Sequence, residues 1–196
     1  MSKKTYSLWG SALFFRKAYY MKKRFITLLL SGAIFCAAME AAVPKPVKHA
    51  IDASFGEVSK IEARQIVLTG STYEKVKARA KAKLETKIYR YYVIRSSSAV
   101  GYAVLITRKV RTKKATVLYV FDVKGVLKFS EIMAFGEPPE YIPNTIWMGQ
   151  FRSRNSAAPL KMGKDIPTIS GATLSARTIS DGARIARAIL QTAIVK

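Results

Sequence analysis

One cysteine and one histidine are all that the 196 residues provide, and only 12 are acidic. Cys36 has no second cysteine for an intrachain disulfide, and a lone thiol cannot hold an iron–sulfur cluster or a c-type haem. His49 stands in a stretch of prolines and lysines, where a solvated side chain is expected, and without clustered His or Cys no zinc centre is expected. The chain also lacks a serine-nucleophile elbow, a phosphate loop and a dinucleotide fingerprint. Redox chemistry, if present, must therefore come from an organic cofactor.

The shortage of acids leaves a surplus of base. There are 34 Lys and Arg residues, a formal net charge of +22. Seven basic residues and one acid fall within 1–42, leaving 27 and 11 over 43–196, a net +16. Such a charge favours acidic partners: anionic lipid headgroups, acidic proteins or a phosphorylated ligand. It also serves simply as a soluble surface. No zinc finger, helix-turn-helix or RNP-like motif accompanies it, so nucleic acid is not an expected partner. Electrostatic contact with a membrane surface remains open.

No apolar run reaches the roughly 20 residues needed to cross a bilayer. The longest, Phe25–Ala38, follows the basic Lys22-Lys23-Arg24 and ends in small residues. Basic start, short apolar centre and small-residue end describe a secretory signal peptide, expected over residues 1–42 with cleavage between Ala38 and Ala42. The long aromatic stretch 1–20 is explained by translation starting at Met21, or by retention of the whole segment as an anchor. Cys36 after Phe35 makes only a faint lipobox. Export would leave a mature domain of residues 43–196, one ordinary domain in size.

Val43-Pro44-Lys45-Pro46 reads as an extended leader, and Gln65–Thr69 as a short strand. A helix is expected from Thr72 to about Leu84, with Val76, Ala80 and Leu84 as its buried stripe. Lys87–Arg95, Gly101–Arg108, Ala115–Asp122 and Val126–Ala134 are rich in Val, Ile, Tyr and Phe and read as an antiparallel sheet. Gly136-Glu137-Pro138-Pro139-Glu140 interrupts it, and a loop or short helix follows through Tyr141, Trp147 and Phe151. Ile179, Ala183, Ala186 and Leu190 then mark a last helix, with Arg177, Arg184 and Arg187 outside the stripe. The class expected is α+β: a small antiparallel sheet flanked by helices, in a single domain without internal repeats.

The segment richest in chemistry is Asp165–Ser175, containing Ser170-Gly171-Ala172-Thr173-Leu174-Ser175 just before that helix. A helix start offers unpaired N–H groups and a positive dipole end, which favour phosphate. Gly171 and Ala172 let a ligand approach the backbone. Ser170, Thr173 and Ser175 supply hydroxyls, and Arg177 a charge-assisted contact. The alternative is that Thr173 or Ser175 merely caps the helix, and the residues alone leave both readings open.

Taken with Glu137-Pro138-Pro139-Glu140-Tyr141-Ile142-Pro143, Trp147, Gln150-Phe151 and the hairpin at Phe121–Gly125, this segment resembles the FMN-binding domain family. That family includes flavoprotein subunits of the sodium-pumping NADH:quinone reductase and of the Rnf complex, and many small exported flavoproteins. The resemblance covers roughly residues 100–190, and more loosely residues 50–100. It implies FMN joined through its phosphate to Thr173 by a dedicated flavin transferase, with Ser170, Gly171, Ala172, Ser175 and Arg177 around it. It also implies Tyr141 and Trp147 as aromatic neighbours of the ring, near Glu137. The family pattern carries an acid three positions before the first Ser or Thr of the motif. Pro167 stands there in this chain and the nearest acid is Asp165, so covalent and non-covalent FMN both stay open.

The resemblance implies an exported electron carrier that exchanges electrons with a membrane or periplasmic redox protein, rather than a self-contained enzyme. The rivals are an FMN-dependent reductase of a small acceptor and a cofactor-free basic protein bound to an envelope surface. Glu137 and Glu140 also allow a general acid–base pair, or are simply proline-flanked surface acids.

Overall fold

The computed structural model describes residues 42–195 except Gly56 and Ser98. The expected signal peptide, including Cys36, lies outside the described residues save for Ala42. Among the described residues no helix is long and apolar enough to cross a membrane.

Five strands form one antiparallel meander in the order β1 (Val58–Val67), β2 (Ile88–Ser96), β3 (Val100–Lys109), β4 (Lys114–Asp122) and β5 (Leu127–Phe135). The α+β expectation therefore holds, with one strand more developed than expected. β1 pairs with β2 from Val58 to Val67, well beyond the short Gln65–Thr69 segment. It is an edge strand rich in Ser, Lys, Glu, Arg and Gln, so its apolar alternation is weak.

The period of two sorts β4 cleanly. Val117, Tyr119 and Phe121 join one hydrophobic cluster, while Leu118 and Val120 join another on the opposite face. Helix α1 (Lys45–Phe55) covers the second face with Val47, Ala50 and Ile51. The Pro44–Pro46 stretch is thus a helix start and not an extended leader. Pro46 falls in the first turn, where a missing N–H costs nothing. His49 is exposed on that helix.

The first face carries α2 (Gly70–Ala80), α3 (Thr145–Met148) and α4 (Thr173–Ile189). Val76, Ala80 and Leu84 are buried there as the spacing predicts, although α2 itself ends at Ala80. Helix α4 is the central element. Small residues let it lie close to the sheet: a Cβ on Gly182 would stand 2.5 Å from the Tyr119 hydroxyl. That hydroxyl is buried and donates to the Ile179 carbonyl at 2.7 Å. Because α4 is enclosed on most sides toward its C-terminal end, Arg187 is buried and not on a wet face.

Candidate functional site

The start of α4 opens into a cavity of about 220 Å³ lined by Val110, Arg111, Glu137, Tyr141 and the run Gly171–Ser175. Its floor is built from the helix start. The N-cap residue is Ala172, whose side chain has no oxygen with which to cap. The hydroxyl of Thr173 donates backwards to the Ile169 carbonyl at 3.2 Å, and Ser175 is buried in the first turn. The reading in which Thr173 or Ser175 caps the helix is therefore not what the geometry adopts. The first-turn N–H groups have no intrahelical acceptor and no side-chain cap.

Gly171 takes φ +78°, a left-handed conformation that side chains disfavour, and a Cβ built there meets no atom within 4 Å. The backbone is accordingly bare toward the cavity.

The loop that delivers this run is pinned twice. The carboxylate of Asp165 accepts the N–H groups of Leu160 and Lys161 at 2.9 and 2.8 Å. Two residues on, the Pro167 carbonyl accepts the indole N–H of Trp147 at 2.9 Å. Trp147 is itself buried, edge-on to Phe151 with centroids 5.3 Å apart. Both Asp165 and Pro167 thus hold the loop in place.

The opposite wall depends on Glu137. Its Oε1 accepts N–H groups from Arg111, Thr112 and Lys113 at 3.0, 2.6 and 2.6 Å, and the Thr112 hydroxyl donates to Oε2 at 3.1 Å. These donors, the Lys113 N–H foremost, hold the Glu137 carboxyl down at about 2 against the opposing effect of desolvation. Glu137 therefore fixes the β3–β4 turn. Thr178 Oγ1 adds a contact to the Lys109 carbonyl at 3.4 Å, bringing Val110 and Arg111 beside the start of α4.

Glu137, Tyr141, Gly171, Ala172, Thr173 and Ser175 are thus brought together, while Ser170, Arg177 and Trp147 stand outside the lining. Ser170 and Arg177 are exposed; Trp147 lies beneath the loop. No family model matches the chain, and no curated protein matches it.

Val110, Arg111 and Leu174 were not singled out by sequence. The signal that points to the first two is the basic run Lys109–Lys114, which a hairpin must turn through, followed 25 residues later by a proline-flanked carboxylate. Leu174 is half-exposed at 47% and forms an apolar lip. The donor set suits a phosphate: unpaired helix N–H groups, a bare glycine and the Arg111 cation. The apolar and aromatic side chains beside it, Val110, Tyr141 and Leu174, suit a planar ring. FMN fits both halves of that description.

Proposed function

We propose that the chain is an exported FMN-binding electron-transfer flavoprotein, with the flavin phosphate held at Gly171–Thr173 and bonded to Thr173. The observation that carries this reading is the convergence of Glu137 and Tyr141 with Gly171, Ala172, Thr173 and Ser175 on one cavity. Glu137 and Tyr141 stand 34 and 30 residues before Gly171 in the sequence, so the fold and not chain continuity brings them there.

When bound, the flavin supplies electron transfer in single or paired steps. The chain's own residues bind and orient it. The first-turn N–H groups of α4 and the helix dipole stabilise a phosphate, and Arg111 adds charge. Glu137 keeps the β3–β4 wall closed, its own charge already satisfied by three N–H donors. Tyr141, Val110 and Leu174, which line the cavity, would shield the bound group from water.

Attachment requires an activated flavin nucleotide and a flavin transferase. Thr173 would carry the flavin phosphate, its Oγ taking the place on phosphorus of the nucleoside monophosphate released by the activated flavin nucleotide, with the hydroxyl proton passing to that leaving group or to solvent. Thr173 is exposed, so its hydroxyl is within an enzyme's reach. The product phosphodiester keeps one negative charge at the helix start. The electron partner on this reading is a membrane or periplasmic redox protein.

Titration of the full chain with FMN, followed by flavin fluorescence, tests binding apart from attachment. Saturable quenching that weakens in Gly171→Ala supports the reading. An absence of saturation, together with colourless protein from cells carrying a flavin transferase, favours the cofactor-free basic protein. Turnover of a small acceptor without any partner protein favours the reductase.

A further inference from the structure

A second cavity, about 440 Å³, lies where the C-terminal half of α4 meets the end of α2 and the loop 156–164. It is roughly 20 Å along the helix from Thr173, at 1.5 Å per residue. Among the described residues, six basic ones line it, Arg79, Lys81, Lys161, Lys164, Arg184 and Arg187, and no acidic side chain does.

Arg187 is the decisive member. It is 6% exposed, and its Nη1 donates to the carbonyls of Ser156 and Ala158. Its Nε and Nη2 are buried without a hydrogen-bond partner, as is Nε of Arg184. A buried guanidinium with unmet donors costs free energy that a bound anion returns. Burial lowers the Arg187 pKa only to about 10, so it is charged at neutral pH.

The nearby acids are already engaged. Asp165 accepts two backbone N–H groups, and Asp181 pairs with Arg184 and Arg108. Gln191 Oε1, a lining acceptor, takes the Arg79 guanidinium at 2.8 Å. The walls are also built under strain: Lys81 and Leu160 hold φ of +48° and +50°, which side chains disfavour.

We infer that this cavity binds a phosphate-bearing ligand, with Arg187 as its innermost charge and the exposed Lys161 and Lys164 at its mouth. The forked guanidinium suits phosphate oxygens. Asp181 pairs with Arg184 alone among the six, and the surplus of cations favours a group carrying close to two charges at neutral pH, which a phosphate monoester provides and a single carboxylate does not. This site is separate from the flavin cavity and independent of the flavin reading.

Inorganic pyrophosphate titrated into the full-length chain at constant ionic strength tests it, by calorimetry and by NMR of arginine Nε–H groups. The expected result is saturable binding that moves the Arg187 signal. Lys161→Gln with Lys164→Gln weakens it at least tenfold, whereas Lys45→Gln with Lys128→Gln, an equal charge change elsewhere, and Gly171→Ala leave it within twofold. Displacement by vesicles containing phosphatidic acid, but not by neutral vesicles, assigns the phosphate to a lipid headgroup. Lack of displacement assigns it to a soluble ester, and either result supports the site. No saturation, equal weakening by the control pair, or loss in Gly171→Ala overturns it.

Discussion

The Oε1 atom of Glu137 accepts the backbone N–H of Lys113 at 2.6 Å, joining the end of the sheet to the turn between β3 and β4. Because the folded carboxyl titrates near 2 and the unfolded one near the ordinary 4.5, the unfolded state binds more protons between those values. Stability from this group is fully present above about 4.5 and is lost as pH falls toward 2. Denaturant midpoints measured across that window should decline steeply in the parent. Glu137→Gln should flatten the decline without abolishing it, because Glu62 is also held below its ordinary range, first by its hydrogen bond to Arg64.

Gly171→Ala should destabilise the fold by about 1–2 kcal/mol, the ordinary penalty for a side chain in the left-handed region. Space is not the cause, since the added methyl meets nothing within 4 Å. Chemical denaturation gives the stability loss, and FMN titration should show a larger proportional loss of affinity as the cradle re-forms.

Close packing of α4 on the sheet predicts a non-additive pair. Gly182→Ala raises helix propensity by roughly 1 kcal/mol, yet places a methyl 2.5 Å from the Tyr119 hydroxyl. A net loss of about 1–3 kcal/mol is expected from overpacking. Tyr119→Phe alone should cost about 1 kcal/mol through its lost bond to Ile179. The double variant should be more stable than the sum of the singles, which a double-mutant cycle of denaturation free energies measures.

Trp147→Phe removes the indole N–H that holds the Pro167 carbonyl. A loss of about 1–3 kcal/mol is expected, combining the hydrogen bond with lost volume. FMN affinity should fall as well, although Trp147 does not line the cavity. If affinity were unchanged at full loss of that bond, the loop anchor would have no role in the site.

The strands β2 to β5 were legible because their Val, Ile, Tyr and Phe residues alternate across two buried faces. The interface of α4 was legible in Ile179, Ala183, Ala186 and Leu190, which are all buried. Helix α1 was not, since Pro44 and Pro46 suggest extension unless Pro46 is assigned to a first turn. The burial of Arg187 was not legible because the helical period marks one stripe, whereas the loop at Ser156–Leu160 closes over another side of α4. In the site, the contiguous run Gly171–Ser175 was visible as a unit. Arg111, and Val110 beside it, enter because the turn at Arg111–Lys113 is held by hydrogen bonds to Glu137 spanning 24 to 26 residues, and no local pattern encodes such a contact.

Intact-mass spectrometry of the chain produced with an active flavin transferase tests the central claim most directly. The account predicts a mass increase of one FMN less one water, retained after denaturation, mapping to the peptide containing Thr173 and absent in Thr173→Ala. An unmodified parent, or the same modification persisting in Thr173→Ala, would contradict it.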